Sequence, residues 1–248
     1  MNQYQIRNAL TILNHSGDRK IDNGIKEQEK IYLSISDAIT GQRLRPGTKL
    51  REDALASVFG VSRTGIRQIL QRLAVEQLIT LTPRRGASVT RPTTDEARDV
   101  FDARQIVECG LMSEISNRVN NEDIKALRRL AESERKALHS DERSSAIKFS
   151  AAFHVQLSAI SGNSVLTDFV DGLCSRTSLI LSMYGNRGHL GCESHDHNGL
   201  IDLLETGQSY KAKTFMLNHL KAIEASLVIR ETEDELPDLN KIFADSNN

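Results

Sequence analysis

The sequence predicts a mainly α-helical protein in two parts, a small basic N-terminal domain ending in a strand hairpin and a larger all-α helical bundle. Three observations lead there. The four prolines are Pro46, Pro83, Pro92 and Pro237, so none interrupts 93–236; proline removes a helical donor and clashes with the preceding turn, so its absence permits long helices. Aromatic residues are only 4% of the chain, and that interval lacks the apolar–polar alternation of a half-buried strand. Finally, the overall net charge of -1 hides an asymmetry: residues 26–92 carry 12 Lys+Arg against 6 Asp+Glu, whereas 93–248 carry 17 against 25. One part is suited to a polyanion and the other is not.

With 248 residues, 39% hydrophobic and 26% charged, the chain can bury two ordinary cores and is not disordered throughout. No apolar stretch reaches the ~18 residues of a membrane helix, and the polar N-terminus has no signal-peptide core. The expectation is a cytoplasmic protein with no membrane contact. Cys109, Cys174 and Cys192 are odd in number and far apart, which indicates neither a disulfide framework nor a thiolate zinc site. They read as small buried thiols.

Residues 1–25, polar and containing Gly17 and Gly24, read as a flexible extension. In 26–92, Ile31, Ile35, Ala38 and Ile39 share a helical face before Gly41, and a turn follows at Pro46-Gly47. A short helix burying Leu55, Val58 and Phe59, a turn at Gly60, and a second helix burying Ile66, Ile69, Leu70 and Leu73 have helix-turn-helix spacing. Ser62 stands at the N-cap position. The second helix projects Arg63, Thr64, Arg67, Gln68 and Gln71 away from its apolar stripe, with Arg63 and Arg67 one turn apart. Long donors on a helix's leading turns suit the major groove, where Arg pairs with guanine and Gln with adenine. Two strands, 78–82 and 87–91, then form a wing whose tip carries Arg84, Arg85 and Gly86. Taken singly, each arginine would be an ordinary solvated charge; together, in a basic domain, they point to double-stranded DNA.

The segment LRPGTKLREDALASVFGVSRTGIRQILQRLAVEQLITLTPRRGASV resembles the winged helix-turn-helix of GntR-type bacterial transcriptional regulators, whose pattern runs PG-x-x-L-x-E-x-x-LA, G-V-S-R-T-x-[VI]-R and prrG-x-x-V. The resemblance implies base or phosphate roles for Arg63 and Arg67, with Ser62, Thr64 and Gly86 near the DNA backbone. Two positions depart from it. Asp53 stands where many relatives carry a DNA-contacting arginine, a role Arg51 is expected to take over, and Gly65 replaces the usual proline, which leaves the helix start less rigid.

The second domain, 93–230, is expected to hold six helices, near 94–118 (capped by Thr94), 122–139, 144–161, 164–185, 193–206 and 208–230, with 231–248 a polar tail. His154, His197 and His219 each fall on an apolar helical face. One such histidine would be a hydrogen-bonded core residue. Three on separate helices are costly to bury unless something shared satisfies them, and a divalent metal does so. His195 is an alternative to His197 that is expected to face solvent.

DARQIVECGL, AAFHVQLSAISGN, HNGLIDLLETGQ and FMLNHL resemble the FCD effector domain of the FadR subfamily of GntR regulators. That resemblance implies metal ligation by His154, His197 and His219 together with an Asp or Asn four residues before the first; here that position is Ser150. It implies one bound divalent ion, Zn or Ni, of reduced affinity, and a small carboxylate effector at its open positions, with Arg104 and Glu108 of an R-x-x-x-E motif as further contacts; Arg176, on the fourth helix, is a lesser candidate for the same pocket. The plain alternative for Arg104 and Glu108 is a surface i,i+4 ion pair. No Ser-His-Asp order, phosphate loop or recognisable carboxylate pair signals catalysis. The expectation is therefore a non-enzymatic homodimeric regulator, a repressor, reading a palindromic operator; the alternatives are a metal-dependent enzyme and a metal-sensing regulator.

Overall fold

The computed structural model describes residues 19–185 and 197–228, with side chains from Glu27 onward. The chain divides into two compact units between Arg91 and Pro92.

The first unit opens with α1 (Arg19–Thr40). This helix starts inside the stretch expected to be an extension, because a lone Gly24 costs a helix only about 1 kcal/mol and does not stop it. Ile31, Tyr32, Ile35, Ala38 and Ile39 are buried along one face. Next come β1 (Lys49–Leu50), α2 (Glu52–Phe59) and α3 (Arg63–Val75). Gly60 ends α2 in the left-handed region at φ 68°, which favours glycine. In α2 only Leu55 is fully buried; Val58 and Phe59 are partly exposed. The hairpin β2 (Ile79–Thr82) and β3 (Gly86–Val89) pairs Ile79 with Val89 and Thr82 with Gly86. β1 adds antiparallel to β3, giving the order β1-β3-β2. Two residues carry no alternation, so β1 left no trace in the sequence pattern.

The second unit holds, among the described residues, α4 (Thr94–Arg118), α5 (Asn121–His139), α6 (Arg143–Ile160), α7 (Ser164–Tyr184), α8 (His197–Glu205) and α9 (Ser209–Ala225). The N-cap of α4 is Thr93, not Thr94: its hydroxyl accepts from Glu96 N–H at 3.1 Å and the Glu96 carboxylate accepts from Thr93 N–H at 2.7 Å. A cap at Thr93 places glutamate at the third helical position, where this reciprocal box closes. Helix α9 stops at Ala225, short of 230, because Leu227 instead bridges to Gly185. Residues 186–196, His195 and Cys192 included, and 229–248 lie outside the described residues. α4 packs on α7 and α9, α5 on α6 and α8, and α6 on α7. One core cluster gathers Val100, Phe101, Ile147, Ile180 and Ile223. Among the described residues no helix is long and apolar enough to cross a membrane.

Candidate functional sites

In the first unit, α3 buries Ile66, Ile69, Leu70 and Leu73 and leaves Arg63, Thr64, Arg67, Gln68 and Gln71 exposed. Ser62 caps it, its Oγ accepting from Gly65 N–H at 3.2 Å. A proline at 65 has no such hydrogen, so the glycine supplies a capping bond in exchange for rigidity. Glu52 binds Arg67 through Nε at 2.9 Å and Nη2 at 2.7 Å. Asp53 binds Arg51 at 2.9 and 3.3 Å, and Gln28 donates to the Gln68 carbonyl at 3.1 Å. A cleft of about 620 Å³ between the hairpin and the start of α3 brings together Arg51, Arg63, Arg85 and Gly86 with Lys49, Glu52 and Asp53. Arg84, at the exposed tip, has φ 63°. Arg67 and Gln68 do not line this cleft; they sit one turn further along α3.

Helix α3 is also pinned to α1. The Arg72 guanidinium lies 3.5 Å from the Tyr32 ring centroid and pairs with Glu29 at 2.5 Å and Glu76 at 3.5 Å. Tyr32 Oη donates to Glu76 at 2.5 Å. This cation–π stack fixes the rotation of α3, and with it the direction in which its exposed face points.

In the second unit, His154 on α6, His197 at the start of α8 and His219 on α9 are brought together, all at 2% exposure or less. Nε2 of His219 lies 3.2 Å from Nε2 of His197 and 3.3 Å from Nε2 of His154. Glu108 accepts from His154 Nδ1–H and Glu134 from His197 Nδ1–H, each at 2.5 Å. With the hydrogen on Nδ1, the Nε2 lone pairs of both rings point at the shared centre. Nitrogens bound tetrahedrally to zinc at about 2.0–2.1 Å stand about 3.3 Å apart, so this donor set fits a divalent ion. Burial pushes the His154 imidazole down to about 4, against the pull of Glu108; the neutral form is the one that ligates. Burial opposes ionisation of Glu108, but Arg104 and then His154 outweigh it and hold the carboxyl at about 2.

Arg104 and Glu108 form an i,i+4 ion pair at 2.7 Å, but a buried one, each side chain 3% exposed, rather than a surface pair. Arg104 Nη1 also reaches Thr177 Oγ1 at 3.4 Å. A cavity of about 20 Å³, room for roughly one water-sized group, is lined by Arg104, Glu134, Ser150, His154, Cys174, Thr177 and Ser178 together with apolar side chains. Arg176 is absent from that lining and lies near enough to Glu96 to lower its carboxyl. Cys109 and Cys174 are free and buried, and burial pushes the Cys174 thiol up to about 12.

Sequence reasoning missed Glu134. The signal was present, since Leu127, Ala131 and Glu134 follow helical spacing and place a carboxylate on the buried face of α5. It also missed Phe153, whose ring stacks on His197 with centroids 4.0 Å apart.

Comparisons with known proteins give one answer for both units. Residues 27–89 match the bacterial regulatory proteins of the gntR family, and residues 99–222 match the FCD domain. An HTH-type transcriptional regulator in an unstable DNA locus of Streptomyces ambofaciens is 29% identical over 205 residues, 81% of this chain and 85% of that one. The HTH-type transcriptional repressor RspR of Escherichia coli K12 is 22% identical over 213 residues, 85% of this chain and 92% of that one. A solved transcriptional regulator, GntR from Rhodococcus sp. RHA1, shares the fold with a TM-score of 0.73 at 19% identity, over 81% of this chain and 96% of that one.

Proposed function

The chain belongs to the GntR family of bacterial transcriptional regulators and carries an FCD effector domain, and from that premise we propose how its residues divide the work. As a DNA-binding transcriptional regulator it does not belong with metal-dependent enzymes, and that alternative is set aside. Residues 26–92 are its operator-binding domain: Arg63, Arg67 and Gln68 address bases, while Arg51, Ser62, Thr64, Arg84, Arg85 and Gly86 address the backbone. Residues 93–230 bind the effector and dimerise the chain, so that two copies meet the half-sites of a palindrome as a repressor.

The observation that carries the regulatory half is the convergence of three buried imidazoles beside a cavity that also holds Arg104 and Ser150. His154, His197 and His219 would hold a divalent ion, Zn or Ni, which when bound supplies a Lewis-acidic pole for a carboxylate oxygen. Arg104 supplies a guanidinium beside it, its charge already balanced by Glu108. Ser150 brings no anionic ligand, which leaves the ion's remaining charge to be met by the effector and argues against a dedicated metal sensor. A small organic acid requires this cavity of about 20 Å³ to widen, and by binding the DNA-competent and DNA-incompetent arrangements unequally it then sets operator affinity.

The test is a thermal-shift screen of small mono- and dicarboxylates with and without added Zn or Ni, since a ligand of the native state raises its melting temperature. A carboxylate that raises Tm only when metal is present, and that changes operator affinity, is the expected result. If no carboxylate shifts Tm under either condition, the effector reading fails.

A further inference from the structure

Arg67 does not hang loose on the surface of α3. Its Nε–H and one Nη2–H are taken by the two carboxylate oxygens of Glu52, at 2.9 and 2.7 Å. Oε2 of the same carboxylate stands 4.0 Å from Nη2 of Arg63, one helical turn earlier. Glu52 is the more sheltered partner, with its side chain 27% exposed against 55% for Arg67 and 68% for Arg63. A guanidinium carries five N–H donors. With the Nε side occupied, three remain, one on Nη2 and two on Nη1, and one from each Nη forms a fork on the far edge. A fork of that shape is what meets N7 and O6 of guanine.

On the reading that this unit binds DNA, we propose that Glu52 is a positioning residue for base recognition, holding Arg67 with its Nη1/Nη2 edge directed at a guanine while its charge disfavours other sequences. Two effects follow from one carboxylate. An arginine already fixed by a bidentate pair loses less side-chain freedom when it meets a base, so the matched site is favoured. A carboxylate brought close to phosphates is repelled, and only a site where Arg67 gains its base compensates for that repulsion. Asp53 offers an internal comparison: it is also acidic and lies at the start of α2, but its carboxylate binds Arg51 instead.

The experiment is selection from a random-sequence duplex pool by the full-length protein and its Glu52→Gln, Asp53→Asn, Arg67→Ala and Glu52→Gln/Arg67→Ala variants, each first checked for cooperative melting. Binding to a shuffled duplex of equal length is then titrated. The wild type should show a strong guanine preference at one position of each half-site. Glu52→Gln should relax that preference about tenfold, leave the other positions unchanged, and bind the shuffled duplex more tightly. Asp53→Asn should tighten binding to the shuffled duplex with the guanine preference intact. The double variant should match Arg67→Ala alone, because Glu52 acts through Arg67. Full guanine preference in Glu52→Gln would overturn the proposal, and so would a loss spread evenly over all positions. Should Glu52→Gln not melt cooperatively, Glu52→Met, which keeps the side chain's reach, is read in the same way. A wild type that selects no sequence would instead overturn the DNA-binding reading itself.

Discussion

Glu134 accepts the Nδ1 hydrogen of His197 across 2.5 Å, tying the middle of α5 to the first residue of α8. With that hydrogen fixed, the ring's other nitrogen turns to His219, and Phe153 backs the ring on one face. His154 has the same arrangement with Glu108. In this cluster the anionic charge stands behind the imidazoles rather than at the centre where their Nε2 atoms meet.

Glu134→Gln keeps an oxygen that can accept from Nδ1 but removes the charge that makes the imidazole more basic. Zn or Ni affinity is expected to fall about 10- to 100-fold, read by calorimetric titration of the purified protein. Unchanged affinity in a folded variant would mean that Glu134 only packs.

Glu96 links pH to stability through the cap of α4. Glu96 is exposed, and the backbone N–H of Thr93 holds its carboxyl below the usual range, outweighing slight desolvation. A folded-state pKa that is depressed contributes stability above the unfolded value of about 4.3, and loses it as pH falls through the folded value. Glu96→Gln should therefore melt below wild type at pH 7, and the gap should shrink towards pH 3. A gap that is the same at both pH values would assign the effect to packing.

Gly65→Ala is expected to stabilise the first unit. The added Cβ would meet Ser62 Oγ at 3.5 Å and Gln28 Nε2 at 3.9 Å, both ordinary contacts, and the capping N–H is kept. Removing the backbone freedom of glycine inside a helix is worth about 0.5–1 kcal/mol, a rise of a few degrees in Tm. A lower Tm would show that α3 needs a conformation alanine resists.

Arg84 and Arg85 are exposed at the wing's tip, and the proposed function gives them phosphates to meet. Replacing both with alanine should weaken binding to operator and shuffled duplexes alike, and lower the slope of log affinity against log salt by about 2. A loss confined to the operator would instead assign a base contact to the wing.

Much of this was legible in the chain itself. Helical spacing of Ile66, Ile69, Leu70 and Leu73 forces Arg63 and Arg67 outward, and the same spacing drives His154, His197 and His219 inward. The turn residues at Gly60 and Gly86 and the proline-free interval marked most of the remaining elements. The misses were short or positional: β1 has two residues, the cap of α4 fell one residue early, and Arg176 was placed at a cavity it does not line.

Periodicity records which side of a helix must leave water, because burial of apolar area acts residue by residue along a repeating turn. That was enough to determine the helices, the exposed arginines and the inward histidines from the sequence alone. Which carboxylate meets which cation or ring was decided by the packed fold, as in Glu52 with Arg67, Glu108 with Arg104 and His154, and Glu134 with His197. Hydrogen bonds are short and directional, and most of these partners lie on different helices, so only their packing brings donor and acceptor within reach.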